Sequence, residues 1–557
     1  MNRRSLNRRS FLGAAAVTAG AAAGVPLLAG CGTSASGTPG AASASQLAKI
    51  MPAYVPSNLI KPDFLSVDGS EPGYLNYPTD LVRSVSGVPG AGGSYTAITP
   101  LWASIPSPSG NTYYEAVNKA LGASLSMQPA NGVTYSTILP PLFSGSKLPD
   151  WIQIPTFWTG SLNFGQATAA KLADLTPYVS GDNIKKYPNL AAIFPAAWQA
   201  GVWNDKIYGV PVFASQFAVA YYLYYRADIF DKLGIGTPTV NSVDDLYDLG
   251  KEINNPSKRQ WAFDDIWGYL YQPFGITTSW TTNSKGDLIT QWETPEIIDA
   301  MVWEAKLVKA GLMNPDSIAG DSATAKQRFY SGEMLITADG QGAWDGADAV
   351  SGTAADKGYV RMALPFFTAS GKGTPTIALA NGTSWLSYLN KNLSPRQIEE
   401  LLRIANYLAA PFGSYEYTLI NFGVPDTDYT MTSTGPVLTS TGNTQVATTY
   451  SFLAGPNSVD NNPGWPDVTR ASAVFAQKNA KYGYKPPFYD MNITVPASLS
   501  AANAMTPFSG STPIQYEVVR GRSTVADYNA AVKEWQNSGG SALKRYYESV
   551  RNKYGDA

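Results

Sequence analysis

A single cysteine, Cys31, in a chain of 557 residues rules out any intrachain disulfide. Whatever this chain folds into must therefore be held by a buried apolar core, which roughly 500 residues can supply as two or more lobes. Histidine is absent altogether, which removes Ser-His-Asp and Cys-His catalysis and every His-ligated metal site. Charged residues make up only 15% of the chain and aromatics 12%, with 33 Tyr and 14 Trp. Most of those rings fill core, but the combination also suits a cleft that stacks neutral, polar ligands.

The N-terminus assigns that cysteine a role. Arg3-Arg4 and Arg8-Arg9 form a basic start with no acid before Asp63, and Asn7-Arg8-Arg9-Ser10-Phe11-Leu12 resembles a twin-arginine export signal. The stretch from Gly13 to Gly30 is too rich in Ala and Gly to hold as a spanning helix. It ends in Leu28-Ala29-Gly30-Cys31, which looks like a lipobox, so Cys31 is the expected lipidation site. Residues 1–30 are read as the signal and 31–94 as a lipid-anchored flexible tether and extended arm. Losing the four signal arginines leaves 36 cations against 42 anions, a net charge of −6, which argues against a nucleic-acid partner.

Periodicity then predicts a strand at Tyr95–Trp102, a helix at Tyr113–Leu121 closed by Gly122, and a strand at Ser124–Met127. A helix near Thr134–Phe143 and a strand at Pro149–Ile154 follow. Strands alternating with helices imply an α/β fold with mainly parallel sheets covered on both faces. Tyr221–Tyr225 reads as an aromatic strand, and helices are expected from Ser242, from Thr294 to Lys309 and from Ser394 to Leu408. The Gly/Asn/Thr/Pro-rich run from Tyr415 to Pro513 reads as loops, and helices at Val525–Trp535 and Ser541–Lys553 close the chain.

Five passages carry a family resemblance. They are Ser144-Gly145-Ser146-Lys147-Leu148-Pro149-Asp150, Ala173-Asp174-Leu175-Thr176-Pro177-Tyr178 and Asp205-Lys206-Ile207-Tyr208-Gly209-Val210-Pro211. The fourth runs from Tyr224 to Gly234 (YYRADIFDKLG) and the fifth from Phe329 to Ile336, with Trp344 beyond it. In this order they resemble the large extracellular solute-binding lipoproteins of ABC importers, of the maltose-binding type. The resemblance implies a two-lobed periplasmic-binding-protein-like fold with a hinge between lobes. It places lobe one at 95–212 plus 366–412, and lobe two at 213–365 plus 413–557. Many large relatives carry an acidic calcium loop where this chain has Asn254-Asn255-Pro256-Ser257-Lys258-Arg259-Gln260, with two cations and no carboxylate. No metal and no cofactor are expected there.

A sugar ring needs flat aromatics for its C–H face and polar groups for its hydroxyl rim. Trp102 and Trp158 lie just past strands, while Trp344 follows the polar loop from Asp339 to Ala343. Trp280 and Trp385 sit among Ser, Thr and Asn. Together with Asp339, Gln341 and Ser215 these are the candidate ligand contacts, whereas Trp303 and Trp535 read as core. The function implied is capture of an extracellular oligosaccharide by lobe closure and delivery to a membrane permease, by a monomer held outside the cell by its lipid. A peptide ligand is the alternative. A glycoside-active enzyme is more remote, because no acid sits in a motif that argues for a raised pKa.

Overall fold

Two mixed sheets organise the chain. The computed structural model describes residues 40–57, 59–276, 280–283, 285–379, 382–489, 491–509 and 513–555. The expected signal, Cys31 and the first part of the tether lie outside these residues. The described residues belong to one compact unit, Ser36–Ala557.

The principal strands, numbered along the chain, are β1 Ser94–Ile98, β2 Ser124–Met127, β3 Trp151–Pro155, β4 Gly209–Val212 and β5 Tyr222–Arg226. They continue with β6 Trp261–Phe263, β7 Met334–Asp339, β8 Arg361–Ala363 and β9 Trp385–Leu389. The first sheet has the order β2-β1-β3-β9-β4 and the second β6-β7-β5-β8. Pairs β1–β2, β1–β3 and β6–β7 are parallel. Strand β9 runs antiparallel to both β3 and β4, and β5 antiparallel to both β7 and β8. The sheets are thus mixed where the helix-strand alternation implied mainly parallel ones, because β5 and β9 each enter their sheet on a crossing from the other.

Local chemistry explains the covering helices. Thr112–Leu121 starts at Asn111, whose side chain accepts from the Tyr114 N–H, and stops at Gly122 in the left-handed region. Its buried residues Tyr113, Tyr114, Val117 and Leu121 recur at helical spacing and face β1. Pro395–Leu408 opens with a Ser394–Gln397 capping box and buries Leu401, Ile404 and Ala405 in the same core. Trp303 and Trp535 are buried.

Packing moves both lobe borders. Phe366, Phe367 and Ile377, expected in lobe one, pack in the second sheet's core with Tyr222, Tyr269 and Phe475. Ile420, Tyr450, Leu453 and Ala454, expected in lobe two, pack with Tyr113 and Val117 in the first. The Tyr113 hydroxyl donates to the Ile420 carbonyl (2.8 Å) and Ser387 Oγ to the Leu453 carbonyl. Segments with little periodicity of their own go where such contacts take them. The loop reading of 415–513 also misses helices Tyr415–Phe422 and Pro466–Asn479, the latter burying mostly small residues (Thr469, Ala473, Ala476) beside Phe475.

Among the described residues the chain passes between the sheets at three places, side by side. Ala214 bridges Asn457, the Ser215 N–H donates to the Gly382 carbonyl (2.9 Å) and the Ser458 N–H to the Ala214 carbonyl (2.8 Å). Phe213, at the first passage, holds φ +50°, a conformation that bulky residues rarely adopt. The arm also departs from its extended reading, since Ser43 caps a helix at Ala44–Ile50. Beyond it the arm pairs briefly with distant segments, Gly73 with Asp460 and Val82 with Ser414.

Candidate ligand-binding cleft

Strand ends and crossing passages enclose a cleft of about 1990 Å³, and all eight candidate residues lie on its lining. One wall is aromatic. Trp102 follows β1 by way of the short strand Pro100–Leu101, Trp158 sits in the 3-10 turn Thr156–Leu162 after β3, and Trp385 opens β9. The Trp102 and Trp158 rings stack at 6.0 Å and 18°, and Trp102 meets the Trp385 ring edge-on at 5.3 Å. Trp385 in turn stacks on Phe452 at 5.2 Å and 14°. Phe157 packs against both Trp158 (4.9 Å) and Trp385 (5.6 Å). Trp102 stays 47% exposed and Phe157 57%, so this wall presents flat apolar surface to whatever enters. Gly132 lies against Trp102, where a Cβ would stand 2.4 Å from the ring.

The facing wall is more polar. Asp339 ends β7, accepts from the Gly340 N–H (2.8 Å) and lies 3.6 Å from Arg361 Nη1. Gln341 Oε1 accepts from the Val219 N–H at 3.3 Å. Trp344 lines the cleft with only 6% of its surface exposed, its ring set edge-on to Tyr224 (5.7 Å) and Phe475 (5.9 Å) in the second core. Trp280 lies on a separate, C-terminal cluster, stacked on Tyr547 at 4.4 Å. Of these eight lining residues Trp344 and Trp280 are mostly packed, while the broad exposed surfaces are Trp102 and Phe157.

Phe157, Phe452 and Tyr221 were missed, as was a group of carboxyls at the crossing passages. Glu71 comes from the arm, Asp460 from the third passage and Asp345 from the cap of helix Gly346–Ala355. Burial pushes the Glu71 carboxyl up, while the Ser215 hydroxyl beside it draws it down. Burial likewise pushes Asp460 up to about 7; the Ser472 hydroxyl opposes this and Glu71 adds to it. Both Asp460 oxygens are engaged, Oδ1 by Asn462 Nδ2 (2.9 Å) and Oδ2 by Ser472 Oγ. These are the raised carboxyls for which the sequence offered no motif; their surroundings come from segments hundreds of residues apart. Among the described residues no group of three His, Cys, Asp or Glu side chains converges as a metal site.

The raised Asp460 has a consequence for stability. The native state keeps its proton up to about 7, whereas an unfolded aspartate releases it near its ordinary 3.8. Between those values unfolding releases a proton, so this group's contribution to stability falls as pH rises and is flat above 7. Asp460→Asn, which mimics the protonated form, should gain on the wild type as pH climbs from 5 to 7.5. Unfolding midpoints that keep a constant gap over that range would contradict the assignment.

Residues 106–384 match the family of bacterial extracellular solute-binding proteins. The chain belongs to that family. Its fold is similar to three solved structures, each covered in full. The N-glycan transport solute-binding protein NgtS of Streptococcus pneumoniae, in complex with Man1GlcNAc, is 16% identical over 84% of this chain with a TM-score of 0.57. The HMO-binding, ABC-transporter-associated solute-binding protein of Bifidobacterium longum infantis is 11% identical over 84%, with a TM-score of 0.58. The ABC substrate-binding protein Lmo0181 of Listeria monocytogenes, in complex with cycloalternan, is 16% identical over 81%, with a TM-score of 0.52. No curated protein matches the sequence. Among the described residues no helix is long and apolar enough to cross a membrane.

Proposed function

We propose that this chain is the substrate-binding subunit of an ABC importer and captures an extracellular oligosaccharide in the cleft. The observation that carries the reading is the aromatic wall, where Trp102 and Phe157 offer broad exposed faces opposite hydrogen-bonding loops. A sugar's C–H face stacks on such rings while its hydroxyls meet Asp339, Gln341 and Ser215. The ligands named in the three similar structures are carbohydrates, which favours this over a peptide.

The lobes divide at the three passages, near residues 213–215, 382–385 and 456–458, and the strained Phe213 lies where closure must bend the chain. Closure draws its energy from contacts that only the closed form makes with the ligand. The protein binds its ligand without cleaving it, a reading supported by its membership of the bacterial extracellular solute-binding family. Twin-arginine export and acylation at Cys31 place it outside the cell on a lipid, beside its permease. Exchange of Cys31 for serine should release the protein from the membrane fraction, and retention there would refute the anchor. The binding reading is tested by dialysis to equilibrium against candidate oligosaccharides, followed by chromatography. Ligand held and recovered intact is expected; cleaved ligand would overturn the non-catalytic role.

A further inference from the structure

A smaller chamber of about 220 Å³ opens off the cleft in the second lobe. It shares Ala220, Tyr221 and Gln291 with the cleft lining, so its mouth is in the cleft wall. The cleft continues past that mouth in both directions. On one side lies Asp339, which pairs with Tyr222 across the sheet, and on the other Trp280, which pairs with Thr290. The chamber thus adjoins the cleft wall between two stretches that themselves line the cleft.

Its walls carry tyrosine rings and carboxamides, with no Asp, Glu, Lys or Arg among the described residues of the lining. Tyr221 lies flat over Gly268, where a Cβ would come within 2.7 Å of its ring, so glycine is what lets the ring sit there. Gln272 Nε2 donates to the Tyr221 carbonyl (2.7 Å) and fixes that carboxamide's orientation. Its Oε1, like Gln291 Oε1, is buried and receives no hydrogen bond from any described residue. Buried acceptors without donors are costly; two of them between tyrosine rings call for a neutral ligand that carries hydroxyls and an apolar face. The volume falls below the range of about 300–1,000 Å³ for pockets that take a whole ligand, which suits a single ring.

We propose that this chamber binds one neutral sugar unit carried as a branch on the oligosaccharide in the cleft, so that the protein selects branched over linear chains. The inference rests on the oligosaccharide reading above. It is tested by calorimetric titration of the chain from residue 32 with matched pairs: mannotetraose, xylotetraose and maltotetraose, each against its singly branched galactosyl, arabinosyl or glucosyl counterpart. In at least one pair the branched member should bind tenfold or more tighter. Gln272→Met, on the lining of the chamber and not of the cleft, should abolish that difference and leave the linear member's affinity unchanged. Thr376→Trp, on the exposed rim of the chamber, should do the same by filling it, and an unfolding midpoint equal to the wild type's confirms that each variant folds. Equal affinities within every pair, or a preference that survives both substitutions, overturns the branch subsite and leaves the oligosaccharide reading standing. No binding by any member overturns both.

Discussion

Replacement of Arg226 by alanine should destabilise the protein by about 3–5 kcal/mol, the usual cost of removing one partner from a buried ionic network. Arg226 closes β5 and is fully buried. Its guanidinium forks onto Asp228 (2.8 and 2.9 Å), reaches Asp356 (2.6 Å) and donates to the Phe329 and Tyr330 carbonyls (2.8 and 2.9 Å). It also lies 4.9 Å from the centre of the Tyr359 ring. One side chain thus ties β5 to the turn before β7 and to the helix that precedes β8. Truncation takes the guanidinium from two carboxylates and two carbonyls at once, leaving Asp228 with Lys232 and the Val360 N–H and Asp356 with the Gly358 N–H. Lysine should not rescue it, because a single ammonium cannot make the planar fork. Urea unfolding gives the comparison, and a loss below about 1 kcal/mol would mean that the network contributes little.

The second large effect concerns binding. Trp102→Ala should weaken oligosaccharide affinity roughly 60-fold. A half-exposed indole offers about 100 Å² to a ligand, which at ~25 cal/mol per Å² is about 2.5 kcal/mol. Because the ring is 47% exposed in the free protein, the thermal midpoint should change little. Gly132→Ala provides an independent route, since the added Cβ would stand 2.4 Å from the same ring and must displace it. Both variants should lose affinity together. If Trp102→Ala binds as the wild type does, the aromatic wall is not where the ligand lies.

The contrast between these sites shows what a sequence reveals. Caps are local chemistry, so Asn111 with Gly122, and Ser394 with Gln397, mark their helices directly. Tryptophans past strand ends point to the cleft because parallel strands deliver their ends to one rim. Helix Pro466–Asn479 was hidden because Thr469, Ala473 and Ala476 carry little apolar signal. The exchange of Phe366 and Tyr450 between lobes depends on tertiary contacts that no window of sequence contains. The same holds for Glu71 and Asp460, which meet only because the arm pairs Gly73 with Asp460. Trp344 was read from its polar loop, yet its ring turns inward onto Tyr224.

Calorimetric titration of the lipid-free chain with a panel of oligosaccharides and peptides bears most directly on the central claim. Saturable binding of at least one glycan class, much weakened in Trp102→Ala and absent with peptides, is the expected result. Binding of peptides alone would contradict it and move this cleft to another cargo.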